Sequence, residues 1–441
     1  MAFSSRRFAL ALIVSAISFM TVEAVASDRF DEFNSNFSDT TLRLDYVFGG
    51  SVPGGKAECS IMLDRLSKQP RWAGLRHRMT ELPLEGNGQI TVSDAATGSP
   101  LYRTSFSTLF QEWLTTDEAS SVAKAFENTF LIPMPRREAT VRVELLDSRR
   151  RPMAVMTHTV NPSDILIADQ SAVPATPHRY LHRGADPEEA IDVAILAEGY
   201  TVAEMDSFYR HAQTAVDEIL SYMPFSDHAG KFNFVAVAAP SAESGVSIPR
   251  LNDWRDTAVS SNFSTFYSDR YLTTGHVKAL HDLLVNIPYE HIIILANTEE
   301  YGGGGIYNSY TLTTARHATF RPVVVHEFGH SFGGLADEYF YENDDISTSD
   351  YHEGVEPWEP NITTRADFAS KWASMMPEGT PVPTDPKDAE KYPVGLYEGG
   401  GYVSKGVYRP ANECRMRNNT YPTFCPVCTA ALDRLILFYT E

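Results

Sequence analysis

Pro322-Val-Val-Val-His326-Glu327-Phe-Gly-His330-Ser-Phe-Gly333-Gly334-Leu-Ala-Asp337-Glu338-Tyr339 decides how the rest of the chain is read. Its centre, His326-Glu327-x-x-His330, is a metal-binding pattern drawn on one helix. Pro322 suits a first helical turn and the pair Gly333-Gly334 suits its end. Side chains four apart share a helix face, so both imidazoles reach one ion. Glu327 sits roughly 100° further round and points beside that ion. A base acting on water next to a zinc ion belongs in that position.

A zinc ion that does chemistry takes three protein ligands and keeps a fourth position open. His326 and His330 supply two. The first metal-competent side chains beyond the glycine break are Asp337 and Glu338, and a carboxylate mixes well with imidazole at zinc. Asp337 is the expected third ligand, with Glu338 as the alternative. The acid that does not bind is expected to accept a hydrogen bond from a ligand imidazole.

Outward from this stretch the chain divides in two. Residues 27–164 are mostly β in pattern. Leu42, Leu44, Tyr46 and Phe48 alternate with other residues, Gly88–Val92 and Pro100–Thr104 flank a turn, and Val141, Val143 and Leu145 precede a partner strand through Met153 and Val155. Strands at this spacing predict a β-sandwich. Thr116–Phe126 is expected to be a short helix capped by Thr116 or Asp117. Residues 165–188 carry Pro174, Pro177 and Pro187 without apolar periodicity, which marks a linker. From 189 to 441 strand and helix alternate. Ile191–Ala197, Phe232–Ala238 and His291–Ala296 are buried-strand runs, and Thr201-x-x-Glu204 is a capping box opening a helix. This half is α/β, so the chain is α+β overall, with its sheet largely parallel. Ile306–Thr314 is expected to be an edge strand beside the catalytic cleft, open to an extended peptide.

The totals bound the function. The chain has 441 residues, 43% hydrophobic and 21% charged, which is ordinary for a globular protein. A formal charge of -20 argues against broad nucleic-acid binding. Arg6-Arg7, the apolar run Phe8–Met20 and Ala24-Val25-Ala26 together form a signal peptide over residues 1–26, and no later segment suffices for a membrane span. The expectation is an exported protein, secreted or periplasmic. An oxidising compartment favours a short-loop disulfide, Cys414 with Cys425 or with Cys428.

At this point the residues carry a resemblance. His326–Tyr339, Cys414-Arg-Met-Arg417, Phe424-Cys-Pro-Val-Cys428, Phe110-Gln-Glu-Trp113 with Thr116 and Glu118-Ala119, and Gly379-Thr-Pro-Val-Pro383 together resemble the IgA peptidase family of zinc metallopeptidases. The resemblance implies a metzincin-like peptidase domain after an all-β domain. It also implies one catalytic zinc ion, a protein or peptide substrate, and Glu327 as general base. In metzincins the third ligand follows a fixed spacing that falls here on Ala336, which cannot bind, and the acid comes one residue later. Met416 fits the methionine turn beneath the metal, with Cys414 beside it. Tyr402, Tyr408, Arg415 and Arg417 are candidates for stabilising an oxyanion. Two other functions remain open: a binding or attachment protein that keeps zinc structurally, and a zinc hydrolase of non-peptide amides.

Overall fold

The computed structural model describes residues 30–345 and 351–441, so the expected signal peptide lies outside the described residues. The first half holds β1 (Phe37–Ser51), β2 (Glu58–Pro70), β3 (Gly88–Asp94) and β4 (Pro100–Phe106). It continues with β5 (Lys124–Pro135), β6 (Ala139–Leu146), β7 (Pro152–Val160) and β8 (Ala168–Asp169). They form two four-stranded sheets, ordered β5-β1-β2-β8 and β4-β3-β6-β7. Leu42, Leu44, Tyr46 and Phe48 of one sheet share a core with Ile90, Val92, Val141 and Val143 of the other. The period-2 alternation therefore aims one face of each sheet inward.

The opposite face of β1 is not solvated. Arg43 and Asp45 are buried there, Arg43 Nε donating to Asp45 at 2.8 Å and its Nη1 to Asp282 of the second half at 2.6 Å. The polar positions of the strand thus form an interface between the two halves, held by charge-assisted hydrogen bonds.

One expectation in this half fails. Thr116–Phe126 is not a helix: only Asp117–Ser120 makes a 3-10 turn, and Lys124 already begins β5. The pairing of β5 with β1 from Gly50↔Lys124 onward captures those residues, and tertiary pairing overrides a weak local preference. The α-helix here is Leu109–Trp113, capped by Thr108, which accepts from Gln111 N.

Between Asp164 and Glu189 the chain leaves one sheet for another: β8 pairs with β2, and β9 (His178–Arg183) pairs with β11 (Phe232–Val237). The second half is built on β9, β10 (Ile191–Glu198), β11 (Phe232–Val237), β12 (His291–Ala296), β13 (Gly303–Ile306) and β14 (Tyr310–Thr314). Their order is β13-β14-β12-β10-β11-β9. The four inner strands are parallel and the two edge strands antiparallel. Every residue of β10, β11 and β12 is buried, as continuous apolar runs covered on both faces should be. The capping box forms, Thr201 N donating to Glu204 at 2.9 Å, and leads into the helix Met205–Ile219.

The expected edge strand Ile306–Thr314 is corrected. Asn308 adopts a left-handed conformation (φ 51°) and folds the segment into a hairpin, pairing Ile306 with Tyr310. β14 is wholly buried inside the sheet, and the edge is the glycine strand β13. That edge is not free along its length, since Gly303 N donates to Arg270 O at 3.4 Å. A smaller sheet, β15 (Phe340–Asp345), β16 (Tyr397–Gly400) and β17 (Tyr402–Arg409), stands next to the site in the order β15-β17-β16. The C-terminal helix Pro426–Thr440 packs Leu432, Leu435 and Ile436 into the core beneath the sheet.

Candidate active site

The helix Phe320–Ser331 carries His326, Glu327 and His330. Pro322 falls in its first turn, where a missing N–H costs nothing. At the other end Gly334 takes φ +58°, a left-handed position suited to glycine. This turn brings Leu335 back so that its carbonyl accepts from His330 Nδ1 at 2.6 Å. The Nδ1 of His326 is likewise 3.0 Å from the carbonyl of Arg415. A carbonyl can only accept, so each Nδ1 carries the hydrogen and each Nε2 presents a lone pair.

The two Nε2 atoms lie 3.1 Å apart, and Asp337 Oδ1 lies 3.0 Å from His326 Nε2 and 3.3 Å from His330 Nε2. Asp337 Oδ1 is buried and accepts no hydrogen bond. Three lone-pair atoms in such proximity repel unless a cation lies among them. Tetrahedral zinc with ligand distances of about 2.0–2.1 Å sets neighbouring donor atoms roughly 3.3 Å apart, so this triangle fits that ion. Asp337 is the acid that joins the imidazoles. Glu338 turns the other way, its Oε1 3.1 Å from Cys428 Sγ, and accepts from neither imidazole. The acceptors for the two imidazoles are instead the Leu335 and Arg415 carbonyls.

Supporting residues fix this triangle. Tyr402 Oη donates to Asp337 Oδ2 at 2.5 Å, and Gly401 N donates to the Asp337 carbonyl at 2.8 Å. Met416 is fully buried under the helix; a Cβ on Gly329 would sit 2.8 Å from its Sδ, so glycine there admits the sulfur.

Glu327 offers a carboxylate oxygen within 4.8 Å of both imidazole nitrogens. Burial raises its pKa, and the two histidines oppose the rise. The glycines of β13 let the strand lie against it: a Cβ on Gly303 would meet Glu327 Oε1 at 2.9 Å. The cleft over these residues is walled by Arg270, Tyr271, Tyr339, Tyr402, Arg417 and Glu112.

Of the four oxyanion candidates, Tyr402 and Arg417 face the cleft. Arg415 is buried elsewhere, donating to Asn419 O at 2.6 Å, and the Tyr408 ring is faced by Arg365. Arg270 was not foreseen; it donates to the hydroxyls of Tyr339 at 3.2 Å and Tyr341 at 3.0 Å across the cleft rim. A lone arginine in an irregular segment carries no spacing signal that sequence reasoning could catch.

The expected disulfide is not formed. All four cysteines are free, and Cys414 Sγ and Cys428 Sγ stand 3.8 Å apart, against about 2.05 Å for a bonded pair. Cys414, Cys425 and Cys428 instead gather round Glu338.

A helix that presents two imidazoles to a following carboxylate, with a second carboxylate alongside, is the donor arrangement of metal-dependent hydrolases. The family comparison agrees in class: the model for IgA Peptidase M64 matches residues 180–392 and 386–436, and that for Peptidase M64 N-terminus matches 32–157. The chain belongs to the IgA peptidase M64 family, an N-terminal M64 domain followed by a peptidase domain in a mixed α+β fold. No curated protein matches it. Among the described residues no helix is long and apolar enough to cross a membrane.

Proposed function

We propose that the protein is an exported zinc endopeptidase. His326, His330 and Asp337 would hold the ion, and Glu327 is the general base. The observation that carries this reading is the triangle of His326 Nε2, His330 Nε2 and the unpartnered Asp337 Oδ1, with sides of 3.0 to 3.3 Å, beside Glu327 in an open cleft. Zinc bound there supplies Lewis acidity, which polarises a carbonyl and makes water more acidic. Glu327 takes a proton from the attacking water and returns it to the leaving amine. Tyr402 holds Asp337 in place, and the glycines of β13 let that strand lie close against Glu327 and His330.

The same reading takes the N-terminal pair of sheets as a β-sandwich and residues 189–441 as a metzincin-like catalytic domain. Export rests on the signal pattern of residues 1–26. The test is metal content and peptide hydrolysis of Glu327→Ala beside the natural chain. The variant should keep its active-site zinc and lose at least about 100-fold in turnover, the lower range for a lost acid–base group. A variant with full activity overturns the mechanism.

A further inference from the structure

The side chains of Cys414, Cys425, Cys428 and Glu338 form a second cluster, separate from the histidine triangle. Each is buried, none more than 3% exposed, and one donor atom from each lies within 4.8 Å of the others. The catalytic reading uses none of them. Their arrangement is that of ligands. Cys414 Sγ and Cys428 Sγ are 3.8 Å apart, and tetrahedral zinc with Zn–S distances of about 2.3 Å gives S···S edges of roughly 3.8 Å. Cys425-Pro-Val-Cys428 has the two-residue spacing of structural zinc sites and straddles the start of the C-terminal helix, with Cys425 as its N-cap.

Backbone groups are already turned toward the sulfurs as they would be toward thiolates. Cys425 N donates to Cys414 Sγ at 3.2 Å and Cys428 N to Cys425 Sγ at 3.5 Å. The fourth member is anchored as well: Asn361 Nδ2 donates to Glu338 Oε1 at 2.9 Å. Its other oxygen, Glu338 Oε2, is buried and has no partner. A buried carboxylate oxygen without a hydrogen bond, on a side chain whose other oxygen lies 3.1 Å from Cys428 Sγ, is costly without a cation.

The geometry points to a second, structural zinc site made by Cys414, Cys425, Cys428 and Glu338. It has three soft ligands and one hard one and no open position for substrate, which suits a closed site for a thiophilic divalent ion. Its place explains its use. Glu338 directly follows Asp337, and Cys414 directly precedes Arg415, whose carbonyl accepts from His326. Glu338 N also donates to Met416 O at 2.9 Å. One ion in this position ties the segment of the third ligand to the segment that carries both the acceptor for His326 and the methionine floor, and ties both to the start of the C-terminal helix.

The test uses the full-length purified protein, with zinc and then cobalt(II) as probes. The natural chain should carry two ions. His326→Ala/His330→Ala should carry one, and its cobalt form should show intense near-ultraviolet thiolate-to-cobalt absorption. Glu338→Gln, shown folded by circular dichroism, should release this ion at lower chelator concentration than the double variant does. Absence of thiolate–cobalt absorption overturns the site, as does a disulfide among the three cysteines in thiol counting without reductant. Failure of the catalytic reading looks different: the natural chain would then carry one ion and still show the thiolate absorption.

Discussion

Replacing Tyr402 with phenylalanine separates two roles for this residue, donor to an oxyanion and anchor of Asp337. Its hydroxyl donates to Asp337 Oδ2 at 2.5 Å, and its ring packs against Tyr339 and Tyr341, with centroids at 5.3 and 6.5 Å. Tyr402→Phe keeps that packing and deletes one hydrogen bond to an ionised group. Such bonds are worth about 1.5–3 kcal/mol, and outer partners of metal ligands typically contribute about 10–100-fold in metal affinity. Asp337 Oδ2 would also be left buried with one acceptor site empty. Zinc affinity, read by competition with a chromophoric chelator, should therefore weaken about 10–100-fold. Turnover at saturating zinc should fall much less. The opposite pattern, unchanged zinc affinity with a large loss of turnover, would show that the hydroxyl serves the transition state and not Asp337.

Gly305→Ala should damage the site without replacing any of its donor side chains. Its Cβ would lie 2.3 Å from the Glu327 carbonyl and 2.8 Å from His330 Cβ, so β13 must move off the helix, at a typical overpacking cost of about 1–3 kcal/mol. Lowered thermal stability together with lost peptidase activity is expected; a variant unchanged in both would refute the close-approach argument. Asp192 gives a pH dependence. It is fully buried, with one oxygen accepting from Asn233 Nδ2 at 2.9 Å and the other unpartnered, and burial raises its pKa to about 7. Between the unfolded value near 3.9 and that value the folded state binds the extra proton, so stability is greatest at low pH and falls as pH rises through this window. Denaturant titrations should find Asp192→Asn more stable than the natural chain at pH above about 7, by on the order of 4 kcal/mol at most, with the gap closing toward the unfolded value. A gap independent of pH would refute the assignment.

The parts of this architecture legible in the sequence are those governed by short-range periodicity. The buried runs of β10, β11 and β12, the capping box at Thr201 and the helix carrying His326 and His330 all state their geometry within a few residues. Asp337 was legible because the glycine break fixes how soon the chain can return toward the histidines. What escaped depends on pairing across distance. Asn308 turns an apparent single strand into a hairpin, and nothing in the alternation of Ile306–Thr314 marks that turn as stronger than the strand signal. Lys124 joins β5 because β1 is there to pair with it. The cysteines were weighed by compartment, which favours a disulfide. The orientation of Glu338, set by Asn361 and by the strand after Asp337, brings a carboxylate among them.

The N-terminal domain is more than a packing partner for the site, and the path by which it reaches the cleft can be followed residue by residue. The short helix Leu109–Trp113 places Glu112 at the cleft wall, where its carboxylate accepts from Tyr271 Oη. The Tyr271 ring lies over Gly304, so close that a Cβ there would stand 2.7 Å from it. Gly304 belongs to the edge strand whose neighbour Gly303 abuts Glu327. One hydrogen bond from the first domain therefore holds the aromatic wall against the glycine strand next to Glu327. Burial, with Glu112 beside it, keeps the Tyr271 hydroxyl protonated well above its ordinary pKa, so it remains a donor throughout the working pH range. Glu112→Gln removes the charge and weakens this bond by about 1 kcal/mol or more, since bonds to charged groups exceed neutral ones by about that much. The expected result is a several-fold fall in kcat/KM on peptide with zinc content unchanged, because no metal donor is touched. Normal kcat/KM would mean that Tyr271 is held by its own domain alone, and loss of zinc would mean that Glu112 acts through the fold and not through the wall.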